Sequence, residues 1–441
     1  FEEMYYYRWW SLRKHIKETP VGYGMTEFLV QRSYSDKYNL IACAIGHHIY
    51  ESRWLRDPKY LDQIIHTWYR GNDGGPMKKM DKFSSWNADA VLARYMVDGD
   101  KDFMLDMTKD LETEYQRWER TNRLKNGLYW QGDVQDGMEE SISGGRKKKY
   151  ARPTINSYMY GNAKALSIMG ILSGDEGMAM RYGMRAATLK SLVENDLWNT
   201  RHQFFETMRS DSSANVREAI GYIPWYFNLP DTTKKYEVAW KEIMDEKGFS
   251  APYGLTTAER RHPEFRTRGV GKCEWDGAIW PFASAQTLTA MANFMNNYPQ
   301  TVLSDSVYFR QMELYVESQY HRGRPYIGEY LDEVTGYWLK GDQERSRYYN
   351  HSTFNDLMIT GLIGLRPRLD DTIEINPLIP ADKWDWFCLD NVLYHGHNLT
   401  ILWDKNGDRY HCGKGLRIFV NGKEAGHADT LTRLVCENAL K

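Results

Sequence analysis

A group of carboxylates stands in the stretch GLYWQGDVQDGMEESISGG, residues 127–145. Its members are Asp133, Asp136, Glu139 and Glu140. Crowding and apolar neighbours raise the pKa of a carboxyl group through like-charge repulsion and desolvation. A carboxyl group that stays protonated near neutral pH can protonate a leaving oxygen, as glycosidases require. Taken alone, this stretch is equally compatible with a solvated acidic loop.

A second carboxylate lies far along the chain, in the stretch RPYIGEYLDEVTGYW, residues 324–338. Glu329 stands there between a glycine and aromatic residues, in a segment without a clean helical pattern. Glycosidases need such a second carboxylate as a base or as a nucleophile. Without further evidence, an ordinary loop glutamate is the alternative.

Aromatic residues accompany these acids and predict a surface for a sugar ring. In CEWDGAIWPFASAQTLTA, residues 273–290, Trp275 and Trp280 bracket Asp276 at a predicted helix start. Aromatic faces pack on the apolar faces of sugars, and Trp also offers a hydrogen-bond donor. The segment therefore predicts an aromatic surface for a sugar ring with a polar side chain, Asp276, that can bond to it. A buried helix start is the alternative.

Polar residues at the start of two further helices are weaker candidates for binding. Arg152 and Asn156 open a helix in RPTINSYMYGNAKAL, residues 152–166, and His351 precedes a helix in residues 348–367. A histidine at such a position more often has a structural hydrogen-bonding role. The residues expected to contact the sugar are Trp130, Asp133, Asp136, Glu140, Arg152, Asn156, Trp275, Asp276, Trp280, Tyr337 and His351.

Composition excludes several other classes of function. The chain has 57 basic and 59 acidic residues, and its cations are scattered, so we expect no nucleic-acid partner. Its five cysteines form no CxxC pair and no Cys/His cluster, which argues against a zinc site, and an odd, sparse set argues against a disulfide framework. We expect no metal and no cofactor. No apolar run is long enough for insertion into a membrane. Aromatic residues reach 14%, which is compatible with sugar binding.

The elements that must position these residues are amphipathic helices in pairs. From 35 to 366, helical patterns alternate with loops, as in NADAVLARYMV followed by DKDFMLDMTKDLETEYQRW. Six such hairpins fit this length, and a mainly α (α/α)₆ toroid, the fold of six-hairpin glycosidases, packs them around one core. A helical solenoid is the rival arrangement, but the repeats have no fixed period.

Different patterns flank this predicted toroid on both sides. Residues 1–34 predict a linker helix that follows a further, upstream domain. Residues 367–441 predict a small β-rich domain, since TIEIN alternates and VLYHGHNLTILWD reads as strand, turn and strand. The pair Asn421-Gly422 between β-forming residues predicts a two-residue hairpin.

Several of these strings resemble the (α/α)₆ glycoside hydrolases that include family 63 glucosidases, trehalases and mannosylglycerate-hydrolase-like domains. Their general acid lies in an SGMDNS-like string, which DGMEES resembles, so the resemblance implies Glu139 as acid where relatives have Asp. Their base lies in a string like YENYDPLTG, which GEYLDEVTG resembles, implying Glu329. Their WRGPIW string resembles EWDGAIW, with Asp276 in place of Arg.

The pattern as a whole most resembles glycoside hydrolase family 142, which is associated with β-L-arabinofuranosidase activity. The strings that carry this resemblance are EFL at 27–29, HHIYESRWLRD at 47–57, GMEESISG at 137–144, RPTINSYMYG at 152–161, WDGAIWPFASAQTLTA at 275–290 and YHGHNLTILWDKNG at 394–407. The wider group mostly inverts configuration, which implies carboxyl groups far enough apart to hold a water molecule. By analogy we expect a secreted or periplasmic bacterial protein.

The sequence thus predicts a glycoside hydrolase acting on an oligosaccharide or polysaccharide, with Glu139 as acid and Glu329 as base. Asp136 or Glu140 would tune Glu139 through like charge. One alternative is a toroidal polysaccharide lyase that uses Asn156, Tyr158 or His351. Another is a glycan-binding protein without catalysis. No pattern in the sequence indicates an oligomeric state.

Overall fold

The computed structural model describes residues 1–233 and 235–441. Its α-helices are α1 (Glu2–His15), α2 (Ile45–Ser52), α3 (Lys59–Arg70), α4 (Asn87–Asp98), α5 (Lys101–Asn122), α6 (Pro153–Ser173), α7 (Glu176–Leu192), α8 (Ile223–Tyr226), α9 (Pro281–Asn297), α10 (Asp305–Ser318) and α11 (Asn355–Leu357). Two of them continue as π-helical turns, α7 over Val193–Leu197 and α11 over Met358–Leu362. A 3₁₀-helix spans Tyr236–Ile243.

The strands are short except near the C-terminus. They are β1 (Ile16–Thr19), β2 (Gly22–Met25), β3 (Trp130–Gln131), β4 (Tyr150–Ala151), β5 (Trp198–Asn199), β6 (Phe204–Phe205), β7 (Met208–Arg209), β8 (Ser212–Ser213), β9 (Ser250–Ala251), β10 (Gly254–Leu255), β11 (Tyr320–His321), β12 (Arg324–Pro325), β13 (Ile373–Ile375), β14 (Trp386–Tyr394), β15 (His397–Asp404), β16 (Gly415–Val420), β17 (Lys423–Ala428) and β18 (Leu434–Cys436). The first twelve strands form small hairpins and one short sheet within the loops between helices.

Six helices form a closed inner ring. Contacts run in order from α2 to α4, α6, α8, α9 and α11, and α11 returns to α2. The outer layer consists of α1, α3, α5, α7, the 3₁₀-helix Tyr236–Ile243 and α10, one before each inner helix in the chain. This closed double ring is the predicted (α/α)₆ toroid, so the fold class is confirmed.

Burial separates the two layers. The inner helix α6 is buried on every side from Pro153 to Ala163, as expected for a helix surrounded by others. The outer helix α7 buries only Met178, Tyr182, Ala186 and Leu189, a single stripe at helical spacing. In the described part of the chain, no helix combines the length and the apolar character needed to cross a membrane.

The connections differ in length at the two ends of the ring. Links from inner to outer helices are short, such as residues 99–100 and 174–175, so neighbouring helices run antiparallel. Every link from an outer to an inner helix must then emerge at the opposite end, which we call the long-loop end. These links are residues 16–44, 71–86, 123–152, 198–222, 244–280 and 319–354.

The C-terminal domain packs on the short-loop end. Its four-stranded antiparallel sheet has the order β14-β15-β16-β17, and β13 pairs with β18. His395 anchors it to α4, since its backbone N–H donates to the carbonyl of Val97 at 2.7 Å. The predicted turn is confirmed, because Asn421 and Gly422 adopt φ of 50° and 81° between β16 and β17.

Helix α1 packs as an outer helix beside α11. The buried side chain of Arg8 donates from Nη1 to Gln319 Oε1 at 3.1 Å and from Nη2 to the carbonyl of Ser352 at 2.8 Å. Phe1 packs on Phe309 of α10, with ring centroids 5.6 Å apart. The division of the chain at residues 34 and 366, with an upstream domain before it, stays a prediction.

Gly161 allows the close approach of α6 and the segment after α8. A Cβ atom at Gly161 would overlap the ring of Phe227. We therefore expect Gly161→Ala to lower the free energy of unfolding by about 1–3 kcal/mol, although alanine favours helices. Urea unfolding checks this. Gly183→Ala on α7 is the control, since its Cβ would meet only Ser167 Oγ at 3.2 Å. Equal stability of both variants would contradict this packing.

Candidate active site

Three carboxylates converge at the long-loop end. Glu27 comes from residues 16–44, Glu139 from residues 123–152 and Glu329 from residues 319–354. The charge of Glu329 raises the pKa of Glu139, and both of these acids raise the pKa of Glu27. The toroid thus brings the two predicted carboxylates together and adds a third.

Local backbone geometry presents Glu139. A 3₁₀-helix, Val134–Asp136, ends at Gly137, which has φ of 72°. Only glycine fits there, because that φ is left-handed and a Cβ atom would overlap Cys43 Sγ. Glu139 follows two residues later and is half-buried.

Burial gives Glu139 the properties of an acid. Desolvation raises its pKa to about 7, and the charges of Glu329 and Asp133 add to the effect. A carboxyl group with this pKa keeps a substantial protonated fraction at neutral pH. Glu139 can therefore donate a proton to a leaving group.

Glu329 has the opposite surroundings. Its buried carboxylate lies 3.5 Å from Lys340 Nζ and 3.3 Å from Arg345 Nη2. The hydroxyl of Ser346 donates to Oε2 at 3.3 Å. These three contacts fix the position of the Glu329 carboxylate, and a fixed carboxylate can serve as the group that accepts a proton.

Glu27 was not predicted as a site residue. It is buried, and the hydroxyl of Tyr349 donates to its Oε1 at 2.5 Å, whereas Oε2 has no partner among the described residues. Burial raises its pKa to about 8, and the charges of Glu329 and Glu139 add to this. Glu27 is therefore mostly neutral at pH 7 and has an O–H group that can donate to a ligand. The only sequence signal was an acid in the apolar string EFL.

The two predicted platform tryptophans lie in a buried stack. The rings of Trp275 and Trp280 are 4.5 Å apart and nearly parallel, and Trp280 lies 4.6 Å from Tyr330 in the same manner. Trp280 is only 2% exposed. Lys340 Nζ lies 4.9 Å from the centroid of the Tyr330 ring. The stack therefore supports the segment that carries Glu329, and its ring faces pack on each other.

Asp136 and Arg152 form an ion pair behind the segment that carries Glu139. Arg152 Nε lies 2.6 Å from Asp136 Oδ2, and both side chains are completely buried. Asp136 also accepts from the hydroxyls of Ser84 and Thr154. The pair ties the start of α6 to this segment, and in this structure its polar atoms bond within the protein.

Two more of the predicted contacts also bond to backbone. Asn156 Oδ1 accepts from the N–H of Tyr129 at 2.8 Å, and its amide donates to the carbonyl of Tyr129 at 2.8 Å. Asp276 Oδ2 accepts from the N–H groups of Arg268 at 2.6 Å and Gly269 at 3.0 Å. Both side chains are fully buried and fix the shape of the loops that surround the site.

Asp133, Glu140 and Trp130 belong to the same segment and differ in exposure. Asp133 is buried and its Oδ1 accepts from the N–H of Val134 at 2.8 Å. Glu140 pairs with Arg146, whose Nε lies 3.2 Å from Glu140 Oε1. Trp130 is half-buried, with Lys149 Nζ 4.4 Å from its ring centroid.

Tyr337 and His351 differ in their placement. Tyr337 is 45% exposed and its hydroxyl donates to Asp342 Oδ2 at 2.7 Å. His351 is buried, with its ring 3.7 Å from that of Tyr349, and neither ring nitrogen has a partner among the described residues. Burial holds the pKa of His351 well below its usual value, so the ring is neutral.

Metal-binding groups are absent from the described ranges. In residues 1–233 and 235–441, no three or more His, Cys, Asp or Glu side chains are grouped to hold a metal ion. The five cysteines are free, and Cys43 and Cys273 lie near the site carboxylates, whose charges help to raise their pKa values.

Two family models match successive parts of the chain. Residues 37–352 match the mannosylglycerate hydrolase MGH1-like glycoside hydrolase domain. Residues 365–427 match the C-terminal domain of glycosyl hydrolase family 65. The first match covers the inner ring from α2 to α9 and the segments that carry Glu139 and Glu329.

Solved structures are similar over most of the chain. One named "Sialidase" is 99% identical over 100% of this chain with a TM-score of 0.99, and the chain spans 41% of its length. A GH63 mannosylglycerate hydrolase from Thermus thermophilus, in complex with glucose, is 12% identical, with 81% of this chain and 99% of that chain covered and a TM-score of 0.59. The same enzyme with Tris and D-glycerate is 11% identical, with 80% and 98% covered and a TM-score of 0.62. The Thermus structures show a common fold.

The buried ion pair of Arg152 and Asp136 allows a test of whether Arg152 stabilises the fold or binds the sugar. Replacing one partner leaves the other charge buried and unpaired. We expect Arg152→Met to lower the free energy of unfolding by about 3–5 kcal/mol in urea titrations. Arg120→Met, at an exposed arginine of α5, is the control. Unchanged stability with weaker sugar binding would assign Arg152 to the substrate instead.

Proposed function

We propose that this chain, which belongs to the mannosylglycerate hydrolase MGH1-like glycoside hydrolases, uses Glu139 and Glu329 as its acid and base. The observation that carries the proposal is the contrast between two converging carboxylates. Burial raises the pKa of Glu139 to about 7, whereas two cations surround Glu329. Carboxyl groups with such different environments are suited to opposite roles in one reaction.

In the proposed reaction, Glu139 gives its proton to the glycosidic oxygen as the bond to the anomeric carbon breaks. Glu329 accepts a proton from a water molecule, whose oxygen attacks the anomeric carbon from the opposite face. One bond from the anomeric carbon to oxygen breaks and one forms in a single displacement. Because the attack comes from the opposite face, the released sugar has inverted configuration. Glu139 ends ionised and Glu329 protonated, and exchange with solvent restores both.

Glu27 keeps the negative charge of the site low in this proposal. An ionised Glu27 would raise the cost of every further negative charge near Glu329. Because burial keeps Glu27 mostly neutral at pH 7, it contributes an O–H donor instead of a charge. Tyr349 fixes its Oε1, so the unpartnered Oε2 remains for a sugar hydroxyl.

For the sugar, we propose β-L-arabinofuranosides of an oligosaccharide or polysaccharide. The support is the resemblance of GMEESISG, WDGAIWPFASAQTLTA and the other strings to glycoside hydrolase family 142. A secreted or periplasmic location would fit that role. Family membership favours hydrolysis over the lyase and the binding protein that the sequence left open.

A panel of aryl glycosides that includes the β-L-arabinofuranoside tests this proposal. We expect release of sugar without the ultraviolet absorbance that an eliminated product would show. With a glycoside whose leaving group is a weakly acidic alcohol or phenol, Glu139→Gln and Glu329→Gln should each lower turnover by at least about 10²–10⁴-fold, because each removes one proton transfer. Circular dichroism should show unchanged folding.

Glu317→Gln is the matched control, because this exposed glutamate of α10 lies outside the site. It should keep parental turnover. Near-parental turnover of the glycoside with the weakly acidic leaving group in either Glu139→Gln or Glu329→Gln would remove that residue from the mechanism. Absorbance appearing with the product would move the reaction to elimination.

The pKa of Glu139 predicts the alkaline side of the pH profile. As the pH rises through about 7, Glu139 loses the proton that it must donate, so kcat/KM should fall. Glu27→Gln should leave this limb near the same pH, since glutamine is as neutral as the protonated Glu27. Initial rates across the pH range check both statements. A rate that stays constant well above pH 7 would contradict the assignment of the acid.

A further inference from the structure

A groove with a volume of about 1010 Å³ lies at the flank of the toroid. We call it the flank groove. Its aromatic and cationic lining includes Tyr6, Tyr7, Trp10, Arg322, Arg324 and Arg347. The first three belong to α1, Arg322 and Arg324 to the β11–β12 hairpin, and Arg347 to the segment after Glu329. Its lining does not include Glu27, Glu139 or Glu329.

Exposed aromatic rings make this surface unusual. Tyr6 is 63% exposed and Trp10 48% exposed, although both belong to an otherwise well-packed helix. The described lining contains rings with polar tips, arginines and acids, but no Leu, Ile, Val or Met. Tyr, Trp and Arg line protein interfaces as well as sugar sites. A carbohydrate is favoured here because the groove adjoins the site of the proposed glycosidase, and sugars pack on aromatic faces and bond to planar polar groups.

The charges of the groove specify the carbohydrate further. Arg322 pairs with Asp342 at 2.9 Å, but Arg324 and Arg347 have no ion pair within the described residues. Lys14 Nζ adds a cation 3.9 Å from the ring centroid of Trp10. With Asp342 and Glu344 as the only acids in the described lining, cations are in excess. Free guanidinium groups bind carboxylates through paired hydrogen bonds.

One segment connects the groove with the catalytic carboxylates. Arg345 and Ser346 contact Glu329, the next two residues line the groove, and Tyr349 then bonds to Glu27. Successive parts of this segment thus face the two sites. The start of β11–β12 and the end of α1 also belong to the long-loop end, so a bound glycan chain would lie beside the catalytic site.

We propose that the flank groove is an accessory binding site for carboxylate-bearing sugar units of an oligosaccharide. A sugar ring packs on the exposed part of Trp10 that Lys14 does not cover, and its carboxylate pairs with Arg347 and Arg324. The link to catalysis rests on the proposed glycosidase, since the glycan would be its substrate. Binding at the groove needs no turnover, so the two proposals fail separately.

Calorimetric titration of the full 441-residue chain carrying Glu139→Gln tests the groove. The probes are oligogalacturonides and the same oligosaccharides with their carboxyl groups reduced. We expect Trp10→Ala and Arg347→Gln, each added to this variant, to weaken oligogalacturonide binding by about tenfold. Reducing the carboxyl groups of the probe should also weaken its binding about tenfold when the groove is unaltered. In the Arg347→Gln variant the same reduction should change binding little, because the arginine that pairs with the carboxylate is already absent.

Trp386→Ala is a matched control. Trp386 lies on β14 in the other domain, is 47% exposed, and has Arg409 at 4.3 Å from its ring, much as Trp10 has Lys14. It should bind like the parent. Parental binding in both groove variants, or no binding of either probe, would overturn the proposal and leave the groove as a contact surface for protein. Groove binding in the Glu139→Gln chain, together with no sugar release from any glycoside by the chain with Glu139 intact, would overturn only the proposed reaction.

Discussion

The antiparallel alternation of inner and outer helices is the constraint on which the site depends. Short links such as 99–100 and 174–175 consist of a glycine and an aspartate, and each aspartate caps the next helix. Outer helices run antiparallel to inner helices, so each outer helix ends at the long-loop end. All the long connections, which lead from an outer helix to the next inner helix, therefore lie at that end. Glu27, Glu139 and Glu329 are far apart in sequence, yet ring closure places them together.

Local features then set the charge of each carboxylate. Gly137 lets the backbone turn where any side chain would overlap Cys43, and this turn presents Glu139. The buried pair of Asp136 and Arg152 holds the same segment on α6. Glu329 depends on cations from the following segment, so the two environments come from different loops and can differ as sharply as they do.

Much of the fold could be predicted from the sequence, because helical periodicity and turn chemistry are local signals. The pair Asn421-Gly422 specifies its hairpin without reference to the rest of the chain. Glu139 and Glu329 were predicted from their neighbours and from family strings. Glu27 was missed as a site residue, because its neutral form depends on burial by segments distant in sequence. Local patterns also could not show that Trp280 lies inside a stack. The sequence around a tryptophan does not reveal whether residues distant in the chain cover its ring.

The most direct test of the assigned acid and base is the dependence of hydrolysis on the leaving group. Aryl glycosides whose phenols differ in acidity need different amounts of help from a proton donor. If Glu139 is the acid, Glu139→Gln should approach parental rates with the most acidic phenol, whereas Glu329→Gln should stay slow with every phenol. Recovery in Glu329→Gln instead, or equal loss in Glu139→Gln for all leaving groups, would contradict the account.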